Sequence, residues 1–303
     1  MTMTIPPFMT LGFGTNPIPL FNATRGVFAG GYTNTYVNVI DYITIASTGD
    51  ASDFGDLIAV KSTSGCASES RGVFGGGTPT TNVMDYITVA STGNSSDFGD
   101  LTVARGSTAS CSNLIRGCIG GGSASSSRID VIDYITIATT GNASDFGNLT
   151  AANSSLAACA NATRGCFGGG YTGSAVNTID YITIATTGNA SDFGDLSVAR
   201  HIFGGDSNST RGFFAGGTTG SNSDVIDYIT ISTTGNASDF GNLTVARAYV
   251  HACASETRGI IASGYTNTPN NIIEYITIAT TGNASDFGDL TVTRDNAAAL
   301  AGS

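Results

Sequence analysis

The chain has 303 residues with 12 basic against 23 acidic side chains, a net charge of −11, 41 glycines and only 12% charged residues. Partners rich in phosphate need clustered Lys and Arg, so this balance argues against nucleic acid and anionic membrane as ligands. Hydrophobic residues at 41% suffice for a core and set the chain apart from disordered sequences.

Residues 1–22 hold four of the six prolines, Pro6, Pro7, Pro17 and Pro19. Proline fixes φ and removes a donor, so this segment reads as an extended arm, lying on the body or docking onto another subunit or a larger assembly. No Lys or Arg precedes its short apolar stretches, so no secretory leader is expected. Nor does any run approach the roughly 18 apolar residues of a membrane helix.

From residue 23 onward the sequence repeats. The stretch Ile179 to Leu196, IDYITIATTGNASDFGDL, has six copies whose tyrosines are Tyr42, Tyr86, Tyr134, Tyr181, Tyr228 and Tyr275, spaced by 44, 48, 47, 47 and 47 residues. An Arg-Gly pair keeps the same beat at Arg25, Arg71, Arg116, Arg164, Arg211 and Arg258. Each copy reads as four strands. The first is rich in small residues (Ala248 to Ala254), and the second runs from Arg-Gly into a glycine cluster (Arg71 to Gly77). The third is the alternating, β-branched Asp-Tyr-Ile-Thr-Ile-Ala, and the fourth follows Asp-Phe-Gly, as in Leu101 to Arg105. Thr-Gly-Asn/Asp turns the chain between the third and fourth. Helical periodicity is absent.

Four strands and a period near 47 residues predict the blades of a propeller. With no Trp in the chain there is no tryptophan-aspartate signature. The order Gly75-Gly76, Tyr86, Phe98, Arg105 resembles the kelch repeat, with Phe standing where that family has tryptophan and Ala262-Ser263-Gly264 replacing the doublet in the last copy. The resemblance covers residues 23–303 and implies an all-β, six-bladed kelch-like β-propeller with four antiparallel strands per blade. The repeats fall near 23–60, 61–105, 106–152, 153–200, 201–247 and 248–294. Residues 295–303, aligned on Arg247, begin another first strand and are expected to close blade 1, leaving no open sheet edge.

Nearly every ionisable group is a repeat position, which is unlike the asymmetric constellation of a catalytic centre, so no enzyme is expected. The Asp-Phe-Gly copies lack the partners of a kinase, and Gly168 to Gly173 fits a dinucleotide pattern without a following helix. Cys66, Cys111, Cys159 and Cys253 sit five residues before the Arg-Gly arginine, and Cys118 and Cys166 two after it. They read first as small buried hydrophobes, with cross-strand disulfides Cys111–Cys118 and Cys159–Cys166 as the alternative. The turn Asp50 to Asp56 is oxygen-rich enough to invite calcium, but Asx turns account for the same residues, so no cofactor is expected.

Eleven of the 12 cations fall in two slots. The Arg-Gly arginines are expected to pair with the acids before each tyrosine: Asp41, Asp85, Asp133, Asp180, Asp227 and Glu274. Lys61, Arg105, Arg200, Arg247 and Arg294 share the slot after Asp-Phe-Gly, which the third copy fills with Ala152; Arg128 stands alone. The copies differ most between second and third strands. There Tyr32, Asn34, Tyr36, Arg128, Tyr171, Thr172, Tyr265 and Asn267 form a Tyr/Thr/Asn-rich set suited to protein or glycan recognition. The near-identical units also look like kelch-like repeats of virion structural and fibre proteins of marine tailed phages. That resemblance implies a non-enzymatic virion component bound to other virion proteins or host glycans, with residues 1–22 as its attachment arm; a homo-oligomer or larger assembly through that arm is expected. A self-assembling bacterial surface protein or a propeller-type sugar enzyme are the other readings.

Overall fold

The computed structural model describes residues 23–303; the expected N-terminal arm lies outside them. All regular structure among the described residues is strand: six four-stranded antiparallel sheets and one two-stranded hairpin. No helix there is long and apolar enough to cross a membrane. Blade 4 shows the plan, with strands Ala157–Ala160, Arg164–Gly168, Thr178–Thr183 and Ser191–Asp195 paired in sequence order. The innermost strands of the six blades pack side by side in a closed circle. Blade 1 takes its innermost strand from Ala298–Gly302, which pairs antiparallel with Arg25–Ala29 from Arg25↔Gly302 to Ala29↔Ala298. The fold is thus a six-bladed β-propeller closed by its last strand, as the repeats imply.

The outermost strand corrects one expectation. In five blades it is Ser-Asp-Phe-Gly-Asp/Asn itself, as in Ser96–Asp100, with Leu101 to Arg105 the link to the next blade; in blade 6 the strand continues from Ser285 to Arg294. A register shift beside each acid, such as Ile179/Asp180, lets the short strand follow the third. The glycine of each Asp-Phe-Gly has a positive φ and abuts the turn of the next blade. At Gly194, with φ of +145°, an added Cβ would lie 2.5 Å from the Gly235 backbone, so only glycine fits.

Each sheet is covered on both faces, so third strands bury the acid as well as the isoleucines around it. The core is a set of apolar seams between neighbours. In one, Phe213, Ile226 and Leu243 of blade 5 meet Val250, Ile261 and Ile276 of blade 6. All six cysteines are buried and free. Cys66, Cys111, Cys159 and Cys253 fill space left by glycines of the next blade, with Cys66 Sγ set against Gly117 and Cys253 Sγ against Gly26.

The ion pairs also differ from expectation. The acids face the other basic slot, across the seam: Lys61–Asp85 (3.2 Å), Arg105–Asp133 (3.0 Å), Arg200–Asp227 (3.0 Å), Arg247–Glu274 (2.6 Å) and Arg294–Asp41 (2.9 Å), all buried. Burial pulls these cations below their ordinary pKa range, and the facing carboxylate opposes it. Arg25, Arg71, Arg116, Arg164, Arg211 and Arg258 instead lie 4.3–4.8 Å over the repeat tyrosines. Each also donates to a carbonyl of the next blade at 2.8–3.1 Å, as Arg164 does to Ile231. Each tyrosine in turn meets its Asp-Phe-Gly phenylalanine edge-on at 5.9–6.2 Å. The third copy needs a second correction: Asn153, not Ala152, holds the cation slot. Its N–H bonds to Ile129 O as that of Arg105 bonds to Thr81 O and that of Arg200 to Val176 O.

The acidic turn has a similar use. Its first side chain accepts a backbone N–H from the outer strand of the preceding blade in all six copies, from Asp50 with Asp289 (3.1 Å) to Asn283 with Asn242 (3.0 Å). The Asx role expected within the turn is played across the seam.

Candidate recognition face

The loops between second and third strands and the links between blades occupy one face, because bridges join them: Tyr32 with Asp295, Gly106 with Ser123, Ser154 with Tyr171, His201 with Thr218 and Ala248 with Tyr265. Just beyond these bridges Ser107, Ser155, Ile202, Tyr249 and Asn296 all adopt φ of 55–60°. Non-glycine residues avoid that region, β-branched ones most of all. What holds them is a head-to-tail belt of backbone bonds: Ser155 N to Ser107 O, Ile202 N to Ser155 O, Tyr249 N to Ile202 O and Asn296 N to Tyr249 O, at 2.8–3.1 Å. Ser62 Oγ donates to Asn296 O and extends it into blade 2. The belt narrows the tunnel mouth to a cleft of about 60 Å³.

Around this mouth the loop residues form two aromatic groups. In the first, Tyr32 and Tyr36 of blade 1 meet edge-on at 5.2 Å, and Tyr249 and Tyr265 of blade 6 at 6.3 Å. Tyr32 bridges to Asp295 and the N–H of Asn296 bonds to Tyr249 O, which sets the two pairs side by side; burial first, then Asp295, Tyr265 and Tyr36, push the Tyr249 phenol above its ordinary range. Burial raises the Asp295 carboxyl to about 6. In the second group Arg128, on the hairpin Ser123–Ala124/Ser127–Arg128, lies 5.0 Å over the Tyr171 ring, whose other neighbour is His201 at 5.1 Å. Asn34, Thr172 and Asn267 stand at the turns of their loops, Asn34 with φ of +100° between Thr33 N and Thr35 O.

The structure thus brings Tyr32, Tyr36 and Tyr265 together, and Arg128 with Tyr171, as two groups and not one set. Tyr249, Asp295 and His201 complete them and were not singled out from the sequence, since they sit in links that read as ordinary connections. The links add exposed apolar side chains to the same face: Ile58, Val60, Val103, Val198, Val245 and Val292.

The opposite end of the tunnel opens into a cavity of about 380 Å³ walled by inner strands of all six blades, mainly with Ala, Ser, Gly and Cys. Its one inner-strand carboxylate is Asp206, in the slot where four other blades hold cysteine. Burial pushes Asp206 up from the ordinary carboxylate range to about 7, against the N–H groups of Ser207 and Ala254. With the folded pKa above the unfolded one, the folded state holds more protons across that window. Stability attributable to this group is therefore complete below about pH 4 and falls as pH rises toward 7. Asp206→Asn is expected to be more stable than the parent at pH 8 and indistinguishable at pH 4, checked by urea titration at both values.

No family model matches the sequence, and no curated protein matches it.

Proposed function

We propose that this propeller is a non-enzymatic recognition module whose loop face binds a surface glycan. The observation that carries the reading is the concentration of the tyrosine groups, the Arg128–Tyr171 stack and eight of the nine exposed large hydrophobics on the loop-and-link face. Tyrosine offers a flat apolar surface and a hydroxyl at small entropic cost, and the Asn and Thr at the loop turns offer adaptable hydrogen bonds. The rigid belt beneath keeps these loops from losing much further freedom on binding. The kelch-like and phage-like repeat pattern favours an exposed structural setting, a virion decoration or fibre protein, with residues 1–22 as its attachment segment.

A glycan array probed with the full chain tests the reading. Binding is expected to weaken at least tenfold in Tyr32→Ala and Tyr265→Ala, at unchanged melting temperature, and to persist in Arg164→Ala on the opposite side. Binding to no glycan, or equal binding by the tyrosine variants, would count against it. Turnover of a bound sugar would replace it with an enzymatic reading.

A further inference from the structure

Five of the six seams bury a cation against the acid of the next blade, and the seam between blades 3 and 4 does not. There the cation slot is Asn153, whose Nδ2 turns away to Gly169 O at 2.8 Å. Asp180 keeps the place its counterparts hold: Thr150 donates to it from N (3.0 Å) and Oγ1 (2.7 Å), as Thr102 does to Asp133 (3.0 and 2.6 Å). The other five acids are 0% exposed, and Asp180 is 7% exposed, so a solvent-sized sphere reaches it where the others meet a guanidinium or ammonium. Asn153 Oδ1 is buried with no hydrogen-bond partner. Burial raises the Asp180 pKa with no cation to oppose it.

The other seams show what this one is shaped to hold. Arg294 Nη2 alone bridges Phe28 O (3.1 Å) and Asp41 Oδ2 (2.9 Å), and Arg200 Nη2 bridges Phe214 O (3.0 Å) and Asp227 Oδ2 (3.0 Å). One positive point therefore satisfies both oxygens. In blade 4 the equivalent oxygens belong to Phe167 and Asp180, which are paired in the sheet register. Every candidate donor here is oxygen, which suits hard cations and not thiophilic metals. A single carboxylate among neutral oxygens, in a seam that elsewhere takes one unit of charge, selects a monovalent ion over calcium.

We propose that this seam is an alkali-cation site, with sodium or potassium seated between Asp180 and the Phe167 carbonyl in place of the missing side-chain cation. The ion would be structural, stabilising the fold by binding only the native state.

Thermal unfolding of the full chain in sodium or potassium chloride, against choline chloride at equal ionic strength, tests this. The melting temperature is expected to be about 2–4 °C higher in the alkali salts, with a saturable dependence on ion concentration. Asn153→Arg is expected to remove the ion dependence and to raise the melting temperature in choline. Identical curves in all salts, an effect of calcium chloride alone, or an ion dependence that survives Asn153→Arg would overturn the assignment. Should Asn153→Arg fail to fold, crystals of the parent soaked in thallium(I) acetate decide: an anomalous peak beside Asp180 supports the site, and its absence there overturns it.

Discussion

Deleting residues 297–303 is expected to abolish cooperative unfolding, or to lower the melting temperature by more than about 15 °C. The segment is the innermost strand of blade 1, and Ala297, Ala298, Leu300 and Ala301 are all buried. Leu300 packs over Gly72 of blade 2, while Ala301 belongs to the seam with blade 6, so one strand serves two interfaces. Losing the Leu300 contacts alone costs about 2–5 kcal/mol. The pairing from Arg25 to Ala29 adds several hydrogen bonds of about 1 kcal/mol each. Together these approach the whole stability of an ordinary domain, about 5–15 kcal/mol. The loss would also bare the edge of Arg25–Ala29, an invitation to pair with another chain. Circular dichroism melts and gel filtration of the truncated chain read both effects. A synthetic peptide of residues 295–303 added in trans is expected to restore part of the transition, and an unchanged melt in the truncated chain would refute closure by this strand.

The two arginine slots should differ in energy as they differ in place. Arg105→Ala is expected to cost about 3–5 kcal/mol, because it leaves Asp133 buried without its cation and strips the Ile119 carbonyl of a donor. Replacing both partners, Arg105→Met with Asp133→Leu, should recover most of that loss, since the desolvation cost of the pair disappears with its attraction. Arg164→Ala is expected to cost only about 1–2 kcal/mol. It forfeits one stack on Tyr181 and one bond to Ile231 O, at a half-exposed position where water can replace the donor. Urea titrations of the three variants separate the slots, and equal losses in Arg105→Ala and Arg164→Ala would show that burial does not rank them.

The sequence by itself determined the number of blades, the strand count in each and the closing role of residues 295–303. Those features live in period, β-branching and glycine placement, which are local or repeat every 47 residues or so. It also marked the loops that differ among copies, and so the loop residues, though not the link residues, of the candidate face. Tertiary structure decided the partners. Arg164 and Asp180 are neighbours in one repeat and look like a pair, yet the acid of each blade faces the cation slot of the blade before it. Repetition hides this, because a contact within a copy and a contact to the next copy leave the same periodic trace. The slot of Asn153, by contrast, is legible by counting: it stands eight residues after Asp145 of Asp-Phe-Gly, as Arg105 does after Asp97, and the backbone bond to Ile129 agrees. The joining of Tyr32 and Tyr36 with Tyr249 and Tyr265 depends on ring closure, which sets the first blade against the last and brings together residues more than 200 positions apart.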